Sequence, residues 1–337
     1  MTDASAARRV VDIITGSWRA QALHAAVVLS LPDHIAAGHG TADALAARTG
    51  ASADGLDRLL RLLAATGVVA GDSRRGYTPT PVSELLREGT PGSMRDMVRI
   101  YGEEFYRAWG AAADALRGGG SGFEHAFGLS LHEYLRQNPE AGEKFQRAMN
   151  AGNVFFPAVL EAFDFRPCRT VVDVAGGSGM LLATVLSAHP EIRGLLIDRP
   201  HMVPVAREYL GRSLSADRFE VSGGDIFDGV PEGADVYLLS RVLQDWEDER
   251  CVGLLAGIRK AMPDHGRLLV LERVIDSGTP DEPALLPLLW DLHLLMAAGG
   301  RERTWDGYRA LLAASGLRLE SSHALELETS LLVVAPA

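Results

Sequence analysis

The sequence contains little cysteine and no long apolar segment. Cys168 and Cys251 are the only cysteines among 337 residues, too few for a disulfide framework or a cysteine zinc site. No apolar run approaches the ~20 residues that a membrane-spanning helix requires. The first residues, MTDASAARRVVDIITG, do not have the pattern of a secretory signal. We therefore expect a cytoplasmic protein.

Basic charge is also scarce. The formal net charge is −11, whereas coating nucleic acid requires a basic surface. The histidines are scattered and lack the short paired spacings of a metal site. We therefore expect no nucleic acid, membrane or metal partner, and a small molecule as the substrate.

The N-terminal part has a winged-helix pattern. Apolar residues at helical spacing predict helices over residues 5–36. TADALAARTG predicts a helix with Thr41 as its N-cap and Gly50 as its end. A second amphipathic helix and two short strands follow, and the second of these strands contains Tyr77. The winged-helix pattern fits either a DNA-binding domain or a compact dimerisation domain. The acidic composition favours a dimerisation domain, and a transcription regulator remains the alternative function.

Residues 92–165 are predicted to be mostly helical. LRGGGSGF, residues 116–123, is a flexible loop by composition, and residues 142–163 are expected to form one helix. Three residues of that helix are candidate substrate contacts: Met149, Asn150 and Asn153. The methionine and phenylalanine residues along the same helix also fit a packed core.

From residue 169 onward, apolar strands alternate with helices. This alternation indicates an α/β fold with a Rossmann-like, doubly wound parallel sheet. We predict three parts: an N-terminal helical and winged-helix dimerisation domain over residues 1–95, a helical linker contributing to the substrate pocket over 96–165, and a catalytic domain over 166–337.

The first strand of this sheet ends in VVDVAGGSGM. Gly176, Gly177 and Gly179 form a turn that leads into a helix, and glycine lets a ligand approach the backbone closely. Leu182 stands where a dinucleotide fingerprint needs its third glycine. Asp173, inside the strand, would repel a pyrophosphate but suits the ammonium of an amino acid.

Two further acids follow at successive strand ends. Asp198 has the spacing of an acid that binds the hydroxyls of a ribose. Asp225 could accept a hydrogen bond from an exocyclic amine, and Ile226 with Phe227 could cover a flat base. A cation, a ribose and an amino-purine together describe S-adenosylmethionine, whose product would be S-adenosylhomocysteine.

With these motifs in place, the chain resembles the class I small-molecule O-methyltransferases that act on plant phenolics and on bacterial polyketide or phenazine intermediates. The matching pieces include DVAGGSG, IDRPHMV, GGDIF, LLSRVLQDWEDE and GGRERTWDGYRALLAASGL. The resemblance implies a homodimer built through the N-terminal helices. It also implies cofactor contacts at Gly177, Asp198, Asp225, Ile226 and Ser240.

Members that methylate phenols usually have a histidine base where this chain has Gln244. The resemblance aligns Glu272 and Glu302 with the two acids that position that base. A glutamine amide cannot take up a proton at neutral pH, so we expect Gln244 to orient the substrate while proximity supplies the rate. His293 lies on a helix that walls the pocket in the family and is a candidate substrate contact or substitute base.

Several neighbouring residues have two interpretations each. Arg241 could pair with an acidic group of the cofactor or substrate, or form a surface ion pair. Asp245 could orient a substrate hydroxyl or cap the next helix, and Trp290 could line the cavity or the core.

The most favoured function is methyl transfer to a hydroxyl of an aromatic or polyketide-like intermediate. C- or N-methylation stays an alternative, and so does a non-methylating reaction such as a rearrangement, decarboxylation or hydroxylation.

Overall fold

The computed structural model of this chain describes residues 3–275 and 285–337, which fall into two compact units. The first comprises Met1–Gly110 and Ala126–Gly152, and the second comprises Ala111–His125 and Asn153–Ala337. The three-part division with boundaries after residues 95 and 165 stays a prediction. Within the described ranges, every helix is too short or too polar to cross a bilayer.

The first unit is mostly helical. Its helices are α1 (Asp3–Ile14), α2 (Gly16–Val28), α3 (Leu31–Ala36), α4 (Ala42–Thr49), α5 (Ala53–Ala65), α6 (Pro81–Glu84), α7 (Arg95–Gly102), α8 (Glu104–Gly110), α11 (Leu131–Gln137) and α12 (Pro139–Ala151), and its strands are β1 (Val69–Asp72) and β2 (Gly76–Pro79). β1 and β2 form an antiparallel hairpin after α5, which confirms the winged-helix pattern.

The predicted ends of α4 are confirmed. The Thr41 hydroxyl accepts a hydrogen bond from the Ala44 N–H at 3.3 Å, which satisfies one of the free donors at the helix start. Gly50 ends the helix in the left-handed conformation, with φ of 72°, a conformation that glycine adopts without strain.

The second unit contains the sheet and the helices that flank it. Its helices are α9 (Ala112–Gly118), α10 (Gly122–Phe127), α13 (Val159–Ala162), α14 (Met180–Ala188), α15 (Val203–Gly211), α16 (Asp248–Ala261), α17 (Leu285–Ala297) and α18 (Trp305–Ala314). Its strands are β3 (Thr170–Val174), β4 (Arg193–Asp198), β5 (Phe219–Gly223), β6 (Val236–Ser240), β7 (Arg267–Ile275), β8 (Arg303–Thr304), β9 (Leu317–Ala324) and β10 (Thr329–Pro336).

The strand order is β5-β4-β3-β6-β7-β10-β9, and β8 pairs with β7. β3 to β7 are parallel, whereas β10 is antiparallel to both of its neighbours. One apolar cluster joins the sheet to α14 and α15, and the other joins it to α16 and α18. The predicted doubly wound fold is confirmed, and the strand order reverses beside β3, where such sheets bind ligands.

Two local predictions are wrong. Residues 116–123 are not one loop, because α9 continues to Gly118 and α10 begins at Gly122. The Ser121 and Glu124 side chains accept hydrogen bonds from each other's backbone N–H groups, and this capping box starts α10.

The single helix expected over residues 142–163 is also wrong. α12 ends at Ala151, and a 3₁₀ turn, Phe156–Ala158, precedes α13. Pro157 lies in that turn and lacks the N–H group that a continuous helix needs.

Candidate active site

β3 ends in a tight glycine turn that leads into α14. Gly177 and Gly179 have φ of 59° and 82°, in the left-handed region that glycine adopts without strain. A Cβ at Gly176 would lie 2.5 Å from the Asp173 carboxyl carbon. The turn therefore requires glycine, and it brings backbone close to any ligand bound at the start of α14.

Asp173 lies beneath this turn and is 1% exposed. Burial and the negative charge of Asp198 together raise the pKa of its carboxyl to about 7, and a hydrogen bond from the Leu182 backbone opposes the shift. Its Oδ2 is buried and has no hydrogen-bond partner among the described residues. Leaving such an acceptor unsatisfied is costly, so this site fits the ammonium group of an amino acid.

Asp198, at the end of β4, is tied to the glycine turn. Its Oδ2 accepts a hydrogen bond from the Gly177 N–H at 2.7 Å, and its Oδ1 accepts one from the Arg199 N–H at 2.6 Å. These bonds hold the carboxylate beside the turn, where a ribose would follow an amino acid bound above Asp173. The sequence predicted a ribose contact here but not the bond to Gly177.

The segment after β5 places aromatic groups beside the third predicted acid. The Asp225 Oδ1 accepts a hydrogen bond from the Phe227 N–H at 3.0 Å. The rings of Phe227 and Trp246 meet edge to face with centroids 5.0 Å apart. The Arg250 guanidinium lies 4.1 Å and 4.3 Å from the two ring centroids. The sequence analysis missed Arg250, because nothing in its spacing pointed to the aromatic pair.

Ser240 and Arg241 end β6. The Ser240 Oγ is buried without a hydrogen-bond partner among the described residues, so it is available to a ligand. Arg241 has φ of 54°, an uncommon conformation for a residue with a side chain. Its guanidinium donates to the Asn153 Oδ1 and lies 5.7 Å from the centroid of the Phe155 ring.

Gln244 and Asp245 lie in a 3₁₀ turn directly after β6. The Gln244 Oε1 is buried without a hydrogen-bond partner among the described residues. The Arg301 N–H donates to the Gln244 carbonyl at 2.8 Å, and a Cβ at Gly300 would lie 2.4 Å from that carbonyl oxygen. α16 begins at Asp248 with Glu247 at its N-cap position, so the alternative that Asp245 caps this helix is wrong.

Two buried charged side chains hold the backbone of this turn. The Glu272 Oε1 accepts hydrogen bonds from the N–H groups of Val242 at 2.9 Å and Leu243 at 2.8 Å. The Arg303 guanidinium donates to the carbonyls of Leu243 at 2.7 Å and Trp246 at 2.6 Å. The resemblance predicted Glu272 as an acid that positions the group at 244. Arg303 was not predicted, because its partners are about 60 residues away in the chain and follow only from the fold.

Glu272 and Glu302 form a buried acidic pair. Burial raises the pKa of Glu272 to about 8, and the charge of Glu302 adds to the shift. Burial also raises the pKa of Glu302 to about 7, against the positive charge of Arg273. The Arg273 guanidinium lies 3.8 Å from the Glu302 Oε1, so this arginine, absent from the sequence prediction, is the cation that offsets part of the buried charge.

His293 and Trp290 lie on α17. Their rings meet edge to face with centroids 5.3 Å apart, and the Arg273 guanidinium lies 4.4 Å from the centroid of the Trp290 ring. Burial lowers the pKa of His293 to about 4, and the charge of Arg273 lowers it further. The imidazole is therefore neutral and weakly basic near pH 7.

The structure brings most of the predicted site residues into the second unit. Those at or just beyond the carboxyl ends of β3 to β7 are Asp173, Gly176, Gly177, Gly179, Asp198, Asp225, Ile226, Phe227, Ser240, Arg241, Gln244, Asp245 and Glu272. Met149 and Asn150 are half-buried on α12 of the first unit, where the Gln146 amide donates to the Asn150 Oδ1 at 3.3 Å. Their role as substrate contacts stays a prediction. In the two ranges that the structure describes, histidine, cysteine and acidic side chains form no group of three that could hold a metal.

A doubly wound sheet with a glycine turn and successive acids at this edge defines a class I S-adenosylmethionine-dependent methyltransferase. Residues 109–318 match the O-methyltransferase domain, and residues 11–89 match the O-methyltransferase dimerisation domain. The chain belongs to the O-methyltransferase family, which confirms the resemblance drawn from its motifs.

Individual relatives agree with this assignment. The chain is 46% identical to a 3-amino-4-hydroxybenzoate 4-O-methyltransferase of Streptomyces cremeus, over 97% of this chain and 90% of that protein. It is 42% identical to a phenazine-1-carboxylate N-methyltransferase of Pseudomonas aeruginosa, over 99% and 98% of the two chains. The structure of CalO1, a methyltransferase of calicheamicin biosynthesis in its S-adenosylhomocysteine-bound form, superposes with a TM-score of 0.88 at 33% identity and covers both chains fully.

The family assignment also establishes the cofactor, S-adenosylmethionine. The local geometry fits it, because the unsatisfied Asp173 Oδ2 and the glycine turn match a ligand with an ammonium group. The protein is therefore a methyltransferase that uses S-adenosylmethionine and carries a dimerisation domain.

Proposed function

We propose that this enzyme methylates a hydroxyl group on an aromatic or polyketide-like natural-product intermediate. The observation that supports this most is the Gln244 turn, which Glu272 and Arg303 hold by its backbone at the carboxyl edge of the sheet. A fixed backbone limits the positions of the side chains, and such orientation can contribute ~7–11 kcal/mol to a barrier in favourable cases.

The cofactor residues have distinct roles in this proposal. Asp173 binds the ammonium group, Asp198 the ribose hydroxyls and Asp225 the base amine, while Ile226 and Phe227 cover the base. Ser240 and Arg241 contact the amino-acid part. Bound in this way, S-adenosylmethionine supplies an electrophilic methyl group on a positively charged sulfur.

The remaining predicted residues would position the substrate. Gln244 has a buried Oε1 that finds no hydrogen-bond partner among the described residues, so it can accept a hydrogen bond from a donor group of the substrate beside the reacting hydroxyl. Trp290 and His293 pack edge to face on α17, and with Asn153 they would contact the substrate. Glu272 and Glu302 do not accept the substrate proton in this proposal. Glu272 fixes the backbone of the Gln244 turn, and the two carboxyl groups contribute buried negative charge beside it.

The dimer proposed for this chain would form through its N-terminal helices. α1 and the start of α2 expose large apolar side chains, including Ile13 at 73% and Trp18 at 66%. Large exposed apolar patches of this kind mark interaction surfaces. Both residues lie within the matched dimerisation domain, which supports a homodimer rather than a complex with nucleic acid.

The test of the proposed function is product analysis with a phenolic probe. The purified protein is incubated with S-adenosylmethionine and 3-amino-4-hydroxybenzoate, the compound named for the Streptomyces cremeus relative. We expect a product heavier by one methyl group, with S-adenosylhomocysteine in equal amount. No turnover of this or other phenols, together with turnover of aromatic amines or ring nitrogens, would refute O-methylation.

N-methylation is a second candidate. A nitrogen nucleophile needs little deprotonation, so the absence of a histidine at position 244 would matter less. One relative at 42% identity is named an N-methyltransferase. Locating the new methyl group by NMR distinguishes the two reactions.

A further inference from the structure

We propose that Asp245 accepts the proton of the substrate hydroxyl, in place of the histidine that position 244 lacks, and that Gln244 holds the Asp245 carboxylate in position. This inference rests on the proposed O-methylation and assigns its missing base. It changes the role of Asp245 from a substrate contact to the group that takes up the proton.

Asp245 lies at the carboxyl edge of the sheet. It ends the 3₁₀ turn that follows β6. The turn is held by Glu272 from the N–H side and by Arg303 from the carbonyl side. Because Glu247 occupies the N-cap position of α16, the Asp245 side chain has no structural duty at that helix.

Asp245 is an exposed residue. Desolvation by the surrounding protein nevertheless raises the pKa of its carboxyl to about 6. A freely solvated aspartate would keep an ordinary pKa near 3.9. An exposed carboxylate of raised basicity can meet a substrate hydroxyl and take up its proton.

Charged groups and one hydrogen-bond donor surround this carboxylate. The Gln244 amide donates a hydrogen bond to it, and the charges of Arg241 and Arg199 also favour its ionised form. The negative charge of Asp245 in turn raises the pKa values of Glu272 and Glu302. Donors and cations keep Asp245 ionised near neutral pH, while desolvation makes it more basic, which is the balance that a general base needs.

The neighbouring acids and the histidine are less suited to take up the proton. Glu272 is fully buried and its Oε1 is occupied by two backbone N–H groups. Glu302 is 4% exposed and lies beside Arg273. His293 is 7% exposed, and its pKa of about 4 makes it a weak proton acceptor. Among these four candidates, Asp245 alone is both accessible and of raised basicity.

The proposed step is balanced by the known cofactor. The hydroxyl proton moves to a carboxylate oxygen of Asp245, and the electron pair left on the substrate oxygen forms the new bond to the methyl carbon. The carbon–sulfur bond breaks with its electron pair remaining on sulfur, which becomes a neutral thioether. Asp245 then releases its proton to water.

The first test needs no substrate. Carbon-13 NMR of protein labelled at the aspartate carboxyl groups follows each carboxyl through a pH titration, and the resonance missing from Asp245→Asn identifies Asp245. We expect a midpoint near pH 6. A midpoint in the ordinary range for a surface aspartate would overturn the proposal, because such a carboxylate is not desolvated.

The second test measures turnover of 3-amino-4-hydroxybenzoate against pH. Asp245→Asn should lower kcat/KM by on the order of 10²–10⁴-fold, the usual contribution of a general base, and should abolish the loss of rate below about pH 6. Asp245→Glu, which keeps a carboxylate, should recover part of the rate. The exposed Glu249→Gln, on the same segment, is the matched control and should behave like the wild type.

Binding of S-adenosylmethionine separates catalysis from structure. Calorimetry should give the same affinity for Asp245→Asn as for the wild type, since Asp245 is assigned to the substrate. A variant that loses cofactor binding, or that keeps the wild-type rate and pH profile, would overturn the assignment. If the wild type methylates no phenol at all, the proposed function fails, and the NMR midpoint still decides whether Asp245 is a desolvated base.

Discussion

The buried Asp173 carboxylate should make cofactor binding depend on pH. Its pKa in the free protein is raised to about 7 by burial, with a further contribution from Asp198. An ammonium group bound at its unsatisfied Oδ2 would favour the ionised carboxylate and release its proton. Linkage then requires the affinity for S-adenosylmethionine to rise as the pH rises towards 7.

The size of the effect follows from the ionised fraction. For a pKa of about 7, roughly 3% of the carboxyl groups are ionised at pH 5.5 and roughly half at pH 7, while the ligand ammonium stays protonated. The affinity should therefore rise about fifteenfold over this range. Asp173→Asn should lose the pH dependence and, at pH 7, lose about 1.5–3 kcal/mol of binding free energy, the usual value for a hydrogen bond to a charged group.

Isothermal titration calorimetry measures both quantities. Repeating the titration near pH 6 in buffers of different ionisation enthalpy counts the released protons, and we expect close to one for the wild type and none for Asp173→Asn. Asp245→Asn is the matched control, because Asp245 also titrates near this range but is assigned to the substrate. It should keep the pH dependence.

An affinity that stays constant between pH 5.5 and pH 7 would refute the reasoning, because it would mean that no carboxyl changes its protonation when the cofactor binds. Retention of the full pH dependence by Asp173→Asn would refute the assignment to this residue. Circular dichroism of the variant establishes that the comparison is made between folded proteins.

Three further predictions concern stability, chemistry and assembly. Glu272 has a folded pKa of about 8, above the ordinary value of ~4.3, so its favourable contribution to the free energy of unfolding is present at low pH and is lost as the pH rises through 8. Urea unfolding of the ligand-free protein should therefore show falling stability between pH 5 and pH 8. Glu272→Gln should reduce this dependence of stability on pH. Gln244→His should fold normally but turn over the phenolic probe more slowly, because it removes the amide that donates a hydrogen bond to the Asp245 carboxylate. A faster variant would show that an imidazole at position 244 takes up the proton itself, and it would contradict the role given to Asp245. Ile13→Asp with Trp18→Asp should turn a dimer into monomers in analytical ultracentrifugation, and an unchanged sedimentation coefficient would place the interface elsewhere.

The sequence was most informative where the local backbone conformation or burial allows only one type of residue. Gly177 and Gly179 adopt positive φ, and strands buried on both faces alternate with helices, so the glycine turn and the doubly wound sheet could be predicted. The capping box at Ser121 and Glu124 could also have been read from its spacing, but the neighbouring glycines suggested a loop. The break after Ala151 was missed because the apolar residues on both sides keep a helical spacing.

The sequence was least informative for arginines. Arg250, Arg273 and Arg303 contact aromatic rings, a buried acid and backbone carbonyls. Apart from Trp246, which is close to Arg250 in the sequence, these partners are distant in the chain. A long charged side chain can pair with many groups, so its partner depends on how the helices and strands pack. The pairing of β9 and β10 against β7 likewise depends on long-range contacts that a local pattern does not contain.

The glutamine at position 244 can be understood from what the neighbouring acids do. If Glu272 served only to orient a histidine, a chain without that histidine would have little use for a carboxylate that is fully buried. Here its Oε1 binds the backbone N–H groups of Val242 and Leu243, so it still determines where the turn lies. Removing it would leave two buried donors unsatisfied, at about 1–3 kcal/mol each.

Retention of Glu272 is therefore compatible with a change of base. The same backbone that would place an imidazole at position 244 places the Asp245 carboxylate, with the Gln244 amide as its hydrogen-bond donor. A glutamine suits this arrangement because its amide stays neutral and does not compete for the proton. The rate then depends on how well the turn is held, so weakening the Arg303 bonds to the Leu243 and Trp246 carbonyls should lower kcat even though Arg303 touches no reacting atom.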